Sequence, residues 1–159
     1  MSNRQQTYLT QAGYERLDKE LEYLRTVRRQ EIAERLHSAL EEGDLLENAE
    51  LEDARNEQSF VEGRILTLES MLANAEIIEE GTHRETVGLG SVVTITEDNG
   101  DETDAETYHI VGSAEADPAH GLISNASPLG KALMGRRVGE MAEVQAPDGT
   151  LTFKVVDID

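Results

Sequence analysis

The chain has 159 residues, a length typical of one globular domain or two small units. It carries 33 acidic against 14 basic side chains, and this net charge of −19 argues against binding nucleic acid by neutralising many phosphates. The absence of cysteine excludes disulfides and cysteine-bound zinc, and no apolar run suits a signal peptide or a membrane span. We therefore expect a cytoplasmic protein whose partner is another protein, a cation or a basic surface.

A long helix is predicted after Thr10, which is a good N-cap residue. No proline occurs from Gln11 to Ala75, and apolar side chains recur at spacings of three and four, as on one face of an α-helix. These apolar residues are Leu17, Leu21, Leu24, Ile32, Leu36 and Leu40. Gly43 is a suitable C-terminal cap, so the helix would contain about 32 residues and extend about 48 Å.

A second helix is predicted after Gly43, because the apolar spacing resumes there. The residues that carry this pattern are Ala54, Val61, Ile65, Leu68 and Leu72. Two long helices joined by a short turn are expected to fold back as an antiparallel coiled-coil hairpin, in which each helix covers the apolar face of the other. The turn is strongly acidic, since residues 41–53 contain no lysine or arginine.

After residue 79 the sequence predicts a small α+β unit with a mostly antiparallel sheet. Strands are predicted at residues 91–96, 107–111, 141–145 and 151–158. A turn at Pro147-Asp148-Gly149 separates the last two. Ser127 and Pro128 are typical of the N-cap and first residue of a short helix. The predicted organisation is therefore a hairpin at residues 1–78 and a globular domain at residues 79–159.

The hairpin turn is the one concentrated candidate site, because the sequence contains no His-Glu-x-x-His pair and no P-loop. One interpretation is structural: Asp44 and Glu47 have the spacing of a capping box, with Asp44 as the N-cap. The other is functional, because two carboxylates offer the hard oxygen ligands that Mg²⁺ prefers, with water and phosphate oxygens completing the shell. An isolated turn has no pocket, so it could only complete the active site of another protein.

The chain resembles the bacterial Gre transcript-cleavage factors over nearly its whole length, most specifically at the turn and the segment after it. The matching stretches are Val27-Arg28-Arg29-x-Glu31-Ile32, Gly43-Asp44-Leu45-x-Glu47-Asn48-Ala49-Glu50, Ala54-Arg55-x-x-Gln58-x-x-x-Glu62-Gly63-Arg64-Ile65, Leu72-x-Asn74-Ala75, Ile110-Val111-Gly112, Leu122-Ile123-Ser124, Ser127-Pro128-Leu129 and Ala132-Leu133-Met134-Gly135. Leu40 and Leu51 depart from residues that many relatives carry.

The resemblance implies a coiled-coil hairpin followed by a domain with an FKBP-like fold, without prolyl isomerase activity. It implies an accessory factor that is not itself an enzyme and that binds RNA polymerase at the secondary channel. Asp44 and Glu47 would help hold the second Mg²⁺ of the polymerase while it cleaves backtracked RNA near the 3′ end, a two-metal hydrolysis with ligands supplied in trans. Nascent RNA would be met only within that complex, with no membrane and no independent DNA binding. The excess of acidic over basic side chains favours the A-type of the family.

Further contacts are expected on both units. Arg55, about two turns beyond the tip, is the candidate for contact with RNA or polymerase in the channel; the alternative is an ion pair with a neighbour such as Glu52. The resemblance assigns docking to the C-terminal domain, where Ser127, Pro128 and Leu133 are the candidates. A short helix at a loop edge can present side chains without disturbing the sheet. For Ser127, the alternative is plain helix capping.

Two other functions remain open on the sequence alone. One is a structural adaptor in which the tip carboxylates only cap a helix, and the other is an inhibitor that plugs the polymerase channel. The pattern Asp44-Leu45-x-Glu47-Asn48 argues against the inhibitory branch of the family, whose tip is unusually rich in aspartate.

Overall fold

The chain folds into two compact units in this computed structural model, which describes residues 6–41, 48–79, 85–97 and 104–159. A helical unit spans Tyr14–Asn74, and a globular unit combines the stretch that ends at Gly13 with Ala75–Asp159. The predicted α+β class is confirmed. Residues 6–13 group with the globular unit by their contacts, whereas the predicted division assigned all of residues 1–78 to the hairpin. Within the described ranges, no helix is both long enough and apolar enough to cross a bilayer.

The predicted hairpin consists of two helical arms. The first arm is α1 (Gln11–Tyr23), a π turn (Leu24–Arg28) and α2 (Arg29–Glu41). The second arm is α3 (Ala49–Ala73). Thr10 caps the first arm as predicted, since its Oγ1 accepts a hydrogen bond from the Gly13 N–H at 3.0 Å. The predicted end of the helix at Gly43 lies outside the described residues.

Contacts between the arms confirm that they run antiparallel. Arg64 donates to Glu20 at 2.8 Å, and Asn48 Nδ2 donates to the carbonyl of Ala39 at 2.6 Å. Partners therefore move forward along the first arm as they move backward along the second. The line of side chains between the arms, called the seam below, buries apolar residues from both. These are Leu17, Leu21, Ile32, Ala39, Leu51, Ala54, Val61, Ile65 and Leu68.

The predicted apolar face of the first arm is wrong in its last turn. Ala39 is buried there, Leu36 is half-buried and Leu40 is 51% exposed. The reason is one extra residue in the repeat. The seam positions Leu17, Leu21, Leu24, Arg28, Ile32, Arg35 and Ala39 include two successive spacings of four around Arg28. A regular heptad alternates three and four, and the π turn absorbs the additional residue.

A short parallel pair of strands opens the globular unit: β1 (Thr7–Leu9) pairs with β2 (Ala75–Ile77). The sequence analysis did not predict these strands, since three residues are too few to show a period of two. Leu9 is nonetheless completely buried, so this strand is an integral part of the unit.

The described residues also form a five-stranded sheet in the order β5-β4-β3-β7-β6. Its strands are β3 (Val92–Glu97), β4 (Glu106–Val111), β5 (Leu122–Ser124), β6 (Met141–Ala146) and β7 (Gly149–Ile158). Only the β4–β5 pair is parallel among these neighbours, which confirms the mostly antiparallel prediction. The four predicted strands are all present, and the predicted turn connects Ala146 to Gly149. The three-residue strand β5 was not predicted.

One face of the sheet packs against α4 (Pro128–Leu133). The core contains side chains from the helix and from the sheet: Val87, Val93, Ile95, Ile110, Ile123, Leu133, Ala142, Val155 and Ile158. Burial of this apolar surface is the main stabilising contribution to the unit.

Candidate functional site

The predicted metal ligands Asp44 and Glu47 lie outside the described residues. The structure describes the two helix ends that flank them in sequence, namely Glu41 at the end of α2 and Asn48 just before α3. The candidate site is therefore characterised through its helical supports.

Asn48 is the N-cap of α3 and also connects the two arms. Its backbone is non-helical, with φ −88° and ψ 85°, and its Oδ1 accepts a hydrogen bond from the Leu51 N–H at 3.0 Å. Its Nδ2 donates to the carbonyl of Ala39 at 2.6 Å. One side chain thus satisfies an otherwise unpaired donor of α3 and an acceptor in the last turn of α2.

This cap corrects the structural interpretation of the tip carboxylates. The capping-box alternative made Asp44 the N-cap and Glu47 the third residue of the second helix. α3 instead starts at Ala49, with Asn48 in the capping position. Asp44 and Glu47 therefore precede the helix, and its capping does not require either carboxylate. The sequence signal for the true cap was an asparagine followed by a strong helix former, Ala49.

Acidic side chains and one well-anchored arginine surround the described ends. Arg35 donates through Nε to Glu50 Oε1 at 2.6 Å. That hydrogen bond, with the charges of Glu50 and Asp53, raises the pKa of Arg35 above its ordinary value, against the opposing effect of desolvation. Glu41 pairs with His37 at 3.1 Å. Glu50 and Glu52 also lie in the first turn of α3, where negative charge interacts favourably with the helix dipole and stabilises the helix.

Arg55 is an exposed side chain two turns into α3. In the described part of the chain it forms no ion pair, so the alternative pairing with Glu52 is not observed. Arg64 behaves differently: it donates to Glu20 at 2.8 Å, and this hydrogen bond raises its pKa. Among the described residues, Arg64 is therefore paired with the opposite arm and Arg55 is not.

A metal site cannot be assembled from the described residues alone. Across residues 6–41, 48–79, 85–97 and 104–159, no group of three or more histidine, aspartate or glutamate side chains is placed to hold an ion. The fit of Mg²⁺ therefore rests on the donor chemistry of Asp44 and Glu47. Two hard carboxylates are suitable for that ion, but they leave most of an octahedral shell to other ligands.

The predicted docking residues have three different environments. Ser127 Oγ accepts a hydrogen bond from the Gly130 N–H at 3.1 Å and donates to the carbonyl of Ser124 at 2.7 Å; the capping alternative is thus confirmed for Ser127. Pro128 is exposed at the first position of α4. Leu133 is 0% exposed. Its assignment to docking is therefore wrong, because the side chain lies in the core of the sheet unit.

Comparison with known proteins covers both units of the chain. Residues 7–77 match the family model described as transcription elongation factor, N-terminal. Residues 82–159 match the model described as transcription elongation factor, GreA/GreB, C-term.

Curated relatives and solved structures are similar over almost the full length. The transcription elongation factor GreA of Clostridium novyi is 47% identical over 159 residues, which is 99% of each chain. The transcription elongation factor GreA of Bacillus subtilis is 51% identical over 151 residues, 94% of each. Among solved structures, GreA factor homolog 1 (Gfh1) of Thermus thermophilus is 39% identical, covering 98% of this chain and 99% of that one, with a TM-score of 0.45. On its two family matches and its identity to the two GreA relatives, the chain belongs to the GreA/GreB family of transcription elongation factors and is of the GreA type.

Proposed function

We propose that the chain binds bacterial RNA polymerase and stimulates the polymerase's own cleavage of backtracked RNA. Its membership of the GreA type supports this function. One observation connects the proposal to Asp44 and Glu47: Asn48 caps α3. The two carboxylates are therefore not needed for the helix capping that their spacing first suggested. We therefore assign both carboxylates as metal ligands.

The task of the chain in this reaction is to place two carboxylates at a distant active site. α3 has 25 residues and is about 37 Å long at the α-helical rise, and the first arm packs along it. Asp44 and Glu47 lie between the two arms in sequence and would hold one of the two catalytic Mg²⁺ ions together with polymerase ligands. When bound, that ion would stabilise negative charge at the reacting phosphate and activate a water molecule.

The other proposed contacts support this placement. Arg55 is exposed and unpaired in the described residues, and it would bind a phosphate of the RNA or an acidic group of the polymerase. Docking is assigned to the globular unit, where Pro128 and the neighbouring Lys131 are exposed on α4. The partners are then polymerase and, only inside that complex, the 3′ end of the nascent RNA; the expected location is the cytoplasm.

A cleavage assay on a halted, backtracked elongation complex with Mg²⁺ tests the proposal. We expect new 3′ fragments with the wild-type chain and none above background with Asp44→Asn or Glu47→Gln, while polymerase binding is retained. Asp53→Asn is the matched control, because it removes an exposed carboxylate near the start of α3 without touching the predicted ligands; it should cleave as the wild type does.

The same assay distinguishes the other two functions. Blocked RNA synthesis without fragments would identify a channel inhibitor, and no effect on the complex would identify a structural adaptor. Normal cleavage by both tip variants would remove the metal-ligand role. Isolated chain should bind Mg²⁺ weakly, since two carboxylates supply few of its ligands; tight binding in calorimetry would contradict the shared site.

A further inference from the structure

The apolar seam of the hairpin is interrupted midway by charged residues. On α3, Ala54 and Val61 are buried, and Glu57 is the one residue between them that is not exposed. On the first arm, no residue from 22 to 31 is buried, and Arg28 is half-buried. A layer that apolar side chains fill elsewhere in the hairpin is thus occupied by an arginine and a glutamate.

Glu57 binds two arginines of the opposite arm at once. Its Oε1 pairs with Arg28 Nη2, and its Oε2 accepts a hydrogen bond from Arg35 Nη1 at 2.5 Å. Arg28 and Arg35 are seven residues apart, or about two helical turns, so the carboxylate lies between them along the arm. The Glu57 side chain is only 25% exposed, whereas both members of the outer Arg29–Glu62 pair are more than 40% exposed. Arg28, Arg35 and Glu57 are called the Glu57 network below.

The Glu57 network lies where the extra residue breaks the heptad repeat of the first arm, and it can select the register of the two arms there. Apolar layers pack with little preference for one register over another, and the seam of the first arm contains a break in its heptad repeat where the π turn ends at Arg28. A polar residue in the seam of a coiled coil selects one register, because any shift leaves partly buried charges without partners. One carboxylate held between two arginines satisfies this condition in a single alignment of the arms.

We propose that Glu57 is a positioning residue, which fixes the register of the two arms through Arg28 and Arg35 and thereby sets where the tip presents Asp44 and Glu47. This inference rests on the proposed function in cleavage. A shift by one seam position, which is three or four residues, displaces one arm by about 5 Å. Misplacement of a catalytic group by about 1 Å can lower a rate by about a hundredfold.

Glu57→Leu separates positioning from stability. It replaces the carboxylate by an apolar side chain in an otherwise apolar seam. Arg28 and Arg35 keep their pairs with Glu31 and Glu50, so the temperature of thermal unfolding should change little. Maximal cleavage at saturating factor should nevertheless fall by about tenfold or more, with the half-saturating concentration unchanged because docking is on the other unit. Glu62→Leu, which removes the exposed pair with Arg29, is the control and should stay within about twofold of wild type.

A distance measurement reads the register directly. The chain has no cysteine, so Ser38→Cys and Asn56→Cys, one exposed site on each arm, give two unique positions for spin labels. We expect one narrow distance with Glu57 present and a broadened or two-component distribution in Glu57→Leu. Glu57→Gln, which keeps the shape and loses the charge, should give an intermediate result and covers the case in which the leucine variant misfolds.

Each outcome decides the inference. An unchanged distance distribution overturns the register role, whether or not cleavage falls. A broadened distribution with normal cleavage overturns the link from register to the tip. If the wild-type chain itself fails to stimulate cleavage, the proposed function is lost, while the spin-label distances still report whether Glu57 fixes the register.

Discussion

Asn48 shows how a single side chain can support a site to which it is not itself a ligand. It satisfies the α3 N-terminus through Leu51 and the last turn of α2 through Ala39. We expect Asn48→Ala to lower the free energy of unfolding by about 1–2 kcal/mol, the usual cost of losing an N-cap, in urea titrations followed by circular dichroism. It should also weaken stimulated cleavage, because the ends of the two arms would no longer be joined.

The matched control is Asn56→Ala, an exposed asparagine inside the same helix. Alanine has the higher helix propensity, so this change should be neutral or slightly stabilising. Equal destabilisation by the two substitutions would contradict the capping role of Asn48.

Gly13 lies against a buried carboxylate near the start of α1. Glu115 is 7% exposed, and it accepts hydrogen bonds from the Thr10 N–H and hydroxyl, each at 2.7 Å. A Cβ at Gly13 would approach Glu115 Oε1 to 2.1 Å. We therefore expect Gly13→Ala to lower the free energy of unfolding by about 1–3 kcal/mol, as overpacking does, measured by denaturant titration.

Gly63 provides the opposite case within α3. A Cβ there would meet no atom within 4 Å, so Gly63→Ala should raise the free energy of unfolding by about 0.5–1 kcal/mol through reduced backbone entropy of the unfolded chain. If both alanines had the same effect, the close approach of Glu115 would not be the cause.

At the scale of elements, prediction succeeded where a pattern repeats and failed where it is short or irregular. The long strands β3, β4, β6 and β7 and the two arms each carry several periods of their pattern. β1, β2 and β5 have three residues each and are specified by their partners in the fold. The seam of the first arm was predicted up to Ile32 and then drifted by one position, because a π turn cannot be read from apolar spacing.

The same contrast applies to the candidate site. Asp44, Glu47 and Arg55 were assigned from a sequence motif and a family resemblance, and their roles stay predictions. Leu133 was misplaced because a loop-edge helix also contributes to the core, and the sequence alone does not show which of its residues faces inward. Glu57 went unnoticed because its two partners lie 22 and 29 residues away in the sequence.

Strand β4 contains a tyrosine whose ionisation reports a local contact. Tyr108 donates to Glu106 Oε2 at 2.5 Å. This hydrogen bond, followed by burial and the charge of the carboxylate, raises the pKa of Tyr108 to about 12. The folded state thus keeps the proton where the unfolded chain loses it. The stability contributed by the contact is complete below pH about 10 and is lost as the pH rises from about 10 to about 12.

Alkaline absorbance titration checks this shift. Subtracting the curve of Tyr108→Phe isolates one of the four tyrosines, and its midpoint should be at pH about 12. Glu106→Gln should move the midpoint to lower pH, because it removes the negative charge and the strongest acceptor. A midpoint that does not respond to Glu106→Gln would assign the shift to another cause.

At the scale of the whole molecule, the globular unit combines two segments that are far apart in the sequence. β1 pairs with β2, Leu9 is completely buried, and Thr10 binds Glu115, so residues 6–13 belong to the globular unit. A fragment that begins at residue 81 would lack both strands and would leave the Glu115 carboxylate without these donors. Docking is therefore best tested on full-length chains that carry substitutions at one predicted site at a time.

The double variant Asp44→Asn, Glu47→Gln is such a chain, and it should act as a competitor. It keeps every described contact of both units, so its affinity for polymerase should equal that of the wild type while its stimulation of cleavage is lost. With polymerase saturated by factor, equal amounts of variant and wild type should halve the cleavage rate, and a tenfold excess of variant should reduce it to about a tenth, as simple mass action requires.

Adding Pro128→Glu to the double variant should relieve the competition if the exposed edge of α4 docks on polymerase. If an excess of the double variant left the cleavage rate unchanged, affinity for polymerase would depend on the tip carboxylates themselves, and the assignment of docking and catalysis to separate units would be wrong.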